Sequence, residues 1–195
     1  GAAVQTLSDA GRAVLVRRAL EELQDNVHYY HRHRRSAAFC QMAAQTIDEL
    51  KSAGLSGQQL AQLAGACGAE SGKLSELALI FQGYETLLAR SGMDPSDRLE
   101  LAGARLEEAL ARHSLPEFLR DRAVFIDEFD TFNAPKKRLL GAMLAALPSV
   151  TVALCDDGAP LLPGDLSLFS GAKQVAAQLR QLARKNGAEV AVPEL

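Results

Sequence analysis

The sequence predicts a mostly α-helical protein with a small parallel α/β part. Its 195 residues include 33 Ala and 31 Leu but only 13 Val and Ile together, and Ala and Leu favour helices whereas β-branched residues favour strands. Six of those 13 residues lie in three short segments, at positions 124–126, 150–152 and 190–192. Helical patterns separate these segments, which is typical of a small parallel sheet with crossover helices. An all-β fold is excluded because the chain has too few β-branched residues.

Residues 8–120 contain five amphipathic helical patterns and one further short turn. Each of the first three follows a serine, whose hydroxyl can accept a hydrogen bond from a free N–H group of the first helical turn. The fifth begins with Asp-Pro, an N-cap followed by the residue that suits the first helical position. The predicted starts are Ser8, Ser36, Ser56, Leu74 and Asp94, the short turn begins at Ser114–Pro116, and Phe81, Tyr84 and Leu88 form a stripe expected in the core.

The hydrophobic period changes at about residue 122, where strands and helices begin to alternate. The first strand, Ala123–Ile126, is apolar throughout and is expected to be buried. A helix from about Pro135 leads to a second strand, Val150–Leu154, which ends in Cys-Asp-Asp. A helix over Ala172–Lys185 then leads to a third strand, Ala188–Val192.

Charge and composition exclude several classes of protein. The formal charge of −3 does not draw the whole chain to nucleic acid or to a membrane, so such binding requires a local patch. No apolar run approaches the roughly 20 residues of a membrane span, and no basic-then-apolar secretory leader opens the chain. Cys40, Cys67 and Cys155 form neither a disulfide framework nor a CxxC metal motif. We expect a cytoplasmic protein with reduced thiols and no membrane partner.

The strongest chemical signal is the pair Asp127 and Glu128, directly after the first strand. Acidic residues at the carboxyl end of a parallel strand lie where α/β folds bind ligands. In folds that handle phosphate, the first carboxylate holds Mg²⁺ through water and the second polarises the water that attacks the γ-phosphate of ATP. The simpler alternative is a strand that ends at the surface in two acidic residues without a chemical role.

Two other groups of residues are candidates for binding. Asp156 and Asp157 follow the second strand, so they are expected beside Asp127 near a nucleotide, the alternative being an ordinary polar loop. The segment His-Tyr-Tyr-His-Arg-His-Arg-Arg at 28–35 is basic and aromatic. Its arginines are suited to DNA phosphates and its tyrosines to stacking on bases, the alternative being a solvated connection between helices. The candidate DNA-contacting residues are Tyr29, Tyr30, Arg32, Arg34 and Arg35.

No phosphate loop of the GxxxxGK[ST] type occurs in the 195 residues. Without the backbone N–H groups of such a loop, this chain cannot hold the phosphates of a nucleotide by itself. Either Asp127 and Glu128 are structural, or the phosphate loop lies upstream in a longer parent protein. We expect no cofactor to bind to this chain alone.

Several segments, taken in order, resemble one protein family. The sequence is similar to the N-terminal, helicase-like half of the AddB/RexB family, the B subunits of ATP-dependent helicase–nucleases, within the wider UvrD/RecB group. The resemblance lies in the order and spacing of these segments of the chain, which together extend over most of residues 7–195. The segments are Leu7–Arg12, Ile47–Lys51, Lys73–Phe81 with Tyr84, the helix start Asp94–Asp97, Phe125–Phe129 with Thr131-Phe132, and Leu168-Phe169.

The resemblance implies a division into domains and a role on DNA. Residues 1–120 would be the helical insertion (subdomain 1B) of a superfamily 1 helicase-like domain, and residues 121–195 part of its RecA-like core, a P-loop NTPase fold. Asp127 would be the Mg²⁺ carboxylate of motif II and Glu128 the water-activating base, with ATP and Mg²⁺ bound in the full-length parent. Such a parent works with an A-subunit helicase–nuclease partner, as a hetero-oligomer, on DNA double-strand breaks in repair and recombination.

The chain departs from the family pattern in two places. Many members carry glycine where Glu128 stands, so the acidic pair here is closer to the active UvrD form. UvrD-like motifs continue with Gln-Asp-Thr after the aromatic residue, whereas this chain has Asp130-Thr131-Phe132. We predict a fragment that is catalytically silent alone and serves ATP hydrolysis in the full-length protein. The alternative is a non-catalytic DNA-binding or subunit-docking scaffold with a degenerate nucleotide site.

Overall fold

The computed structural model describes residues 6–68, 71–129 and 131–191, which fold mostly into helices with one small parallel sheet. The chain divides into two compact units, Gly1–Arg98 and Leu99–Leu195. The predicted domain boundary near residue 120 stays a prediction. The elements are α1 (Asp9–Glu22), α2 (Ala37–Ser52), α3 (Gly57–Ala64), α4 (Ser71–Ser91), α5 (Pro95–Ala111), β1 (Ala123–Ile126), α6 (Ala134–Ala146), β2 (Ser149–Val152) and α7 (Ser170–Lys185), with short 3₁₀ turns at His31–His33 and Glu117–Leu119.

Capping chemistry sets the starts of four helices in the first half of the chain, as the sequence predicts. The Ser8 hydroxyl accepts a hydrogen bond from the backbone N–H of Gly11 at 3.2 Å, and Ser36 caps α2 in the same way. Ser56 forms a reciprocal capping box with Gln59 at the start of α3. At the start of α5, the Asp94 carboxylate accepts the N–H of Asp97 at 2.9 Å. These bonds satisfy N–H groups that have no partner within the helix.

The first unit is a helical layer built around α4. Helix α4 packs against α1 and α3, and α1 also packs against α2. Phe81, Tyr84 and Leu88 are at most 3% exposed, which confirms the predicted core stripe. Helices α3 and α4 approach closely at Gly57, where a Cβ atom would lie 2.8 Å from the backbone nitrogen of Gln82. Only glycine fits there without moving the backbone.

The second unit contains the parallel pair of strands. β1 pairs with β2 from Ala123 opposite Ser149 to Ile126 opposite Val152, and α6 is the crossover between them. Helix α6 packs against β2 and α7. Its N-cap is Asn133, whose side chain accepts the N–H of Lys136 at 3.1 Å. The parallel α/β arrangement predicted for this region is confirmed for these two strands.

Two predictions about the sheet are wrong. β1 is not buried, because its residues alternate between exposed and half-buried and Phe125 is 76% exposed. Only one face of a two-stranded sheet is covered here, so the apolar sequence of β1 does not imply burial on both faces. Residues 188–191 form no strand in the described part of the chain, and Val192 lies outside the described residues. A short segment with two valines is a strand only where it finds a partner.

The second strand is also displaced from its predicted bounds of Val150–Leu154. It covers Ser149–Val152, and the ladder extends by one bond from the Ala153 N–H to the Ile126 carbonyl at 2.9 Å. None of the helices among the described residues has the length and apolar character needed to cross a bilayer.

Candidate nucleic-acid interface and strand-end carboxylates

A buried carboxylate fixes the start of the basic and aromatic segment between α1 and α2. Glu76 of α4, 6% exposed, accepts three consecutive backbone N–H groups. These are His28 at 2.8 Å, Tyr29 at 2.9 Å and Tyr30 at 3.3 Å. Hydrogen bonds to a charged acceptor are stronger than neutral ones. The loop therefore holds one conformation although it belongs to no regular element at this point.

This conformation brings aromatic side chains together on the surface of the first unit. The ring of Phe39 stacks on both Tyr30 and His33, with centroids 5.4 Å apart in each pair. Tyr29 is 54% exposed, and its ring packs against the backbone of Gly72. The resulting open cavity, here called the aromatic pocket, has a volume of about 490 Å³ and is lined by Tyr29, Tyr30, His33, Ala38, Phe39, Met42 and Lys73.

The three arginines of the segment differ in exposure and in hydrogen bonding. Arg32 and Arg35 are exposed, whereas Arg34 is half-buried and its guanidinium donates to the His31 carbonyl at 3.1 Å. Residues 26–47 contain no Asp or Glu, so no acidic side chain in this stretch competes for the exposed arginines. The predicted stacking residues meet in one pocket, and two of the three predicted phosphate-contacting arginines are accessible.

The strand-end carboxylates lie in solvent beyond β1. Asp127 and Glu128 are both exposed, and the Glu128 N–H donates to the Asp127 carboxylate at 2.8 Å. The backbone of Glu128 has φ +62°, in the left-handed region that favours glycine over residues with a Cβ atom. The exposed Asp127 carboxylate is accessible to Mg²⁺, an ion that proteins bind through one or two carboxylates and several waters.

The loop after these carboxylates is anchored to α6 by its aromatic residues. The rings of Phe129 and Phe132 lie 5.9 Å apart, and Phe132 is 8% exposed. The ammonium group of Lys136 lies 4.6 Å from the centre of the Phe129 ring, a cation–π contact. Asp130, between the two phenylalanines, lies outside the described residues.

After β2, Asp157 binds a lysine of α7. The Lys173 ammonium lies 2.7 Å from the Asp157 carboxylate, and the Lys173 side chain is 5% exposed. The hydrogen bond from Lys173 lowers the pKa of Asp157 below its usual value, and a second bond from the Ala159 N–H acts in the same direction. The Asp156 carboxylate accepts the N–H of Asp157. Asp157 thus fixes the loop after β2, and a nucleotide-proximal role for this pair stays a prediction.

In the described part of the chain, no group of three or more His, Cys, Asp and Glu side chains is arranged to hold a metal ion.

A second polar cluster, buried in the first unit, was not predicted. The Lys51 ammonium donates to Asp94 at 2.6 Å and also to Asp97. Asp94 is 1% exposed and accepts a further bond from the Tyr84 hydroxyl at 3.4 Å. Burial lowers the pKa of Lys51, but its hydrogen bonds to the two aspartates and their charges outweigh this, so the net pKa is raised. The cluster ties α2 to the start of α5.

Beside this cluster, Glu85 faces the start of α3 and is half-buried. Its carboxylate accepts the Gly57 N–H at 3.3 Å. Burial raises the pKa of Glu85, and this outweighs the opposite effects of the Gly57 bond and of Lys51. The folded state therefore binds a proton at Glu85 more tightly than the unfolded state. This contribution to stability is complete below the unfolded pKa and is lost as the pH rises through the folded pKa.

Glu85→Gln should therefore stabilise the fold at neutral pH and remove part of its pH dependence. We expect a gain of up to about 1 kcal/mol at pH 7, the scale of one hydrogen bond or half-buried charge, and little difference at pH 4. The measurement is urea unfolding of both proteins at the two pH values. Glu49→Gln, at an exposed position of α2, controls for the loss of charge alone. A variant that is less stable than the wild type at pH 7 would contradict this account of Glu85.

Comparison of the whole chain with known families gives a match over its full length. The family model described as "ADDB, N-terminal" matches residues 1–195. The chain belongs to the AddB N-terminal family. This agrees with the resemblance in the order and spacing of the segments described above.

Individual AddB relatives match over nearly the whole of this chain, and each is named as the B subunit of an ATP-dependent helicase/deoxyribonuclease. The relative from Desulforudis audaxviator is 32% identical over 199 residues, which cover 99% of this chain and 16% of that protein. The one from Moorella thermoacetica is 32% identical, over 97% of this chain and 17% of its own length. The relative from Heliobacterium modesticaldum is 30% identical, over 96% of this chain and 15% of its own length. The chain thus spans about a sixth of the length of these relatives.

In this AddB N-terminal chain, the residues that position the candidate sites were not predicted from sequence. Glu76 binds the backbone of the aromatic segment, Gly72 leaves space for the Tyr29 ring, and Lys173 binds Asp157. Glu76 did give a signal, since it stands four and eight residues before the buried Ile80 and Tyr84 and so shares their helix face. A carboxylate on a buried face needs partners. Nothing local, however, indicates that the partners are residues 28–30.

Proposed function

We propose that this chain is part of the B subunit of an ATP-dependent helicase–nuclease that acts on DNA double-strand breaks, in repair and recombination. The observation that carries this is its similarity, over nearly its whole length, to proteins named as B subunits of ATP-dependent helicase/deoxyribonucleases. In such a complex it works in the cytoplasm with an A-subunit helicase–nuclease. The helicase and nuclease activities belong to the longer polypeptide.

Within that longer protein, residues 1–120 serve as a helical insertion of the 1B type and residues 121–195 as part of a RecA-like core. Asp127 holds Mg²⁺ through water and Glu128 polarises the attacking water, while a phosphate loop elsewhere in the longer protein binds ATP. When bound, Mg²⁺ neutralises charge on the β- and γ-phosphates. The position of Asp127 and Glu128 supports this role, because both are exposed directly after a parallel strand, where α/β folds bind ligands.

Two substitutions at Glu128 separate the role of its side chain in ATP hydrolysis from the effect of its left-handed backbone on stability. In the full-length protein, in complex with its partner, Glu128→Gln should lower DNA-dependent ATP hydrolysis by about 100-fold or more, the usual effect of losing a general base. Glu128→Gly should lower it equally and stabilise the fold by roughly 1 kcal/mol, because glycine adopts φ +62° without strain. Asp121→Gly, at φ +55° outside the acidic pair, should stabilise the fold without lowering hydrolysis. Unchanged turnover in Glu128→Gln would refute the catalytic role.

The aromatic pocket and the exposed arginines of the same segment favour a second function that does not need an active nucleotide site. We propose that residues 28–42 contact single-stranded DNA, so the chain also acts as a DNA-binding scaffold. Binding should weaken steeply as salt rises, because each arginine on a phosphate releases counterions. Arg32→Ala combined with Arg35→Ala should lower the slope of log Kd against log salt by about 0.7 per lost contact. Arg34→Ala should lower it less, since Arg34 is engaged with His31. Absence of any binding at low salt would refute this function.

A further inference from the structure

We propose that the aromatic pocket receives one unstacked nucleobase of single-stranded DNA, with Tyr29 as its stacking platform and Arg32 and Arg35 on the flanking phosphates. This inference rests on the proposed DNA contact and specifies where and how one base is held.

The open pocket is large enough for a small ligand. Its volume of about 490 Å³ lies within the roughly 300–1,000 Å³ of small-ligand pockets. Tyr29 is 54% and Met42 57% exposed. Both residues line the pocket, whose exposed surface is mostly apolar. A flat aromatic or apolar group is therefore the expected occupant.

Charge selects a nucleobase over an apolar side chain of a partner protein. Residues 26–47 include three arginines and no acidic residue, and Arg32 and Arg35 are exposed. A nucleotide offers a flat base to the pocket and phosphates on each side of it to the exposed arginines, which belong to the same segment as Tyr29. An apolar peptide would leave these two cations without a counterpart.

The pocket is built in advance of binding, with one ring left available. Phe39 stacks on both Tyr30 and His33, and the three rings form one wall of the pocket. The Tyr29 ring lies outside this stack, on Gly72, while its backbone N–H is held by Glu76. Since its backbone is held by Glu76 and the residue is 54% exposed, Tyr29 can stack on a base without first being ordered. Preorganisation of this kind lowers the entropic cost of binding.

Gly72 offers a test that leaves every charge in place. A Cβ atom on Gly72 would lie 3.2 Å from Cε2 of Tyr29, so alanine forces the ring to shift. Alanine is also the better helix former in α4, and the fold should not lose stability. Gly72→Ala therefore isolates the position of the Tyr29 ring from the stability of the protein.

The experiment titrates the 195-residue chain with a fluorescein-labelled single-stranded oligonucleotide, and with the same oligonucleotide containing 2-aminopurine or abasic positions. Tyr29→Ala should weaken binding by about 5- to 100-fold, the loss of one base–aromatic stack, without changing the salt slope. Tyr29→Phe should stay within about twofold of the wild type. Gly72→Ala should weaken binding in the direction of Tyr29→Ala. Only the wild type and Tyr29→Phe should give full quenching of 2-aminopurine.

Each other outcome overturns part of this proposal. If Tyr29→Ala binds as tightly as the wild type while the arginine variants do not, the base pocket is refuted and the DNA contact stands. Equal affinity for intact and abasic oligonucleotides also refutes the base pocket. The occupant of the aromatic pocket would then be an apolar segment of a partner protein. If the wild type binds no DNA even at low salt, both the pocket and the DNA contact fail.

Discussion

Replacing Glu76 by alanine should lower the free energy of unfolding by about 3 kcal/mol or more. Three consecutive, partly buried backbone N–H groups lose their acceptor, and a donor left without a partner costs up to about 1–3 kcal/mol. Water can reach part of this loop in the variant, which places the expected value at the lower end of the sum. The measurement is urea unfolding of the 195-residue chain at neutral pH.

Two control variants sharpen the test of Glu76. Glu76→Gln keeps the shape and one acceptor oxygen, so it should cost clearly less than alanine. Ser75→Ala, at the exposed neighbouring position, should change stability by less than about 0.5 kcal/mol. Glu76→Ala should also weaken single-stranded DNA binding more than Ser75→Ala, because the backbone of Tyr29 is released. A loss of less than about 1 kcal/mol in Glu76→Ala, below the cost of even one unsatisfied donor, would contradict the role given to this carboxylate.

Replacing Lys51 by methionine should lower the free energy of unfolding by about 3–5 kcal/mol, the cost of leaving buried partners of an ion pair uncompensated. Asp94 is 1% exposed and Asp97 lies beside it. Without the ammonium between them, the two carboxylates repel each other. Methionine fills most of the volume of the lysine stem, so the loss reports the charge rather than a cavity.

The pH dependence of the Lys51 variant follows from the same two carboxylates. Burial already raises the pKa of Asp97, against the lowering effect of Lys51, and removing the lysine raises it further. The loss in Lys51→Met should therefore shrink as the pH falls from 7 towards 5, because protonation of a carboxylate relieves the repulsion. Lys51→Met combined with Asp97→Asn should recover part of the stability at pH 7. A loss that is small and constant with pH would refute this description of the cluster.

The helices could be predicted because their signals are local. A serine hydroxyl caps an N–H group three residues ahead, as Ser8 does for Gly11, so both partners lie within one short window of sequence. The same holds for Asp94 with Pro95 at the start of α5. The β1–β2 pair was predictable from clustered β-branched residues. Burial of β1 was not, since it depends on what covers each face.

The long-range polar contacts were beyond prediction from sequence. Glu76 binds residues 46–48 positions away, and Lys51 binds Asp94 at a separation of 43. Their partners become neighbours only when α1, α2 and α4 pack. The residues of the candidate site also fall into those predicted from sequence and those found only in the structure. Tyr29, Tyr30 and the arginines were identified by residue type, whereas Glu76 and Gly72, which place Tyr29, required the structure.

Photocrosslinking shows whether residues 28–42 bind single-stranded DNA. The 195-residue chain is irradiated with single-stranded oligonucleotides that contain 5-iodouracil, and the crosslinked peptides are identified by mass spectrometry. We predict crosslinks at Tyr29 and within residues 28–42, reduced in Tyr29→Ala and at high salt. Crosslinks confined to the second unit, Leu99–Leu195, or unchanged by Tyr29→Ala, would contradict this prediction.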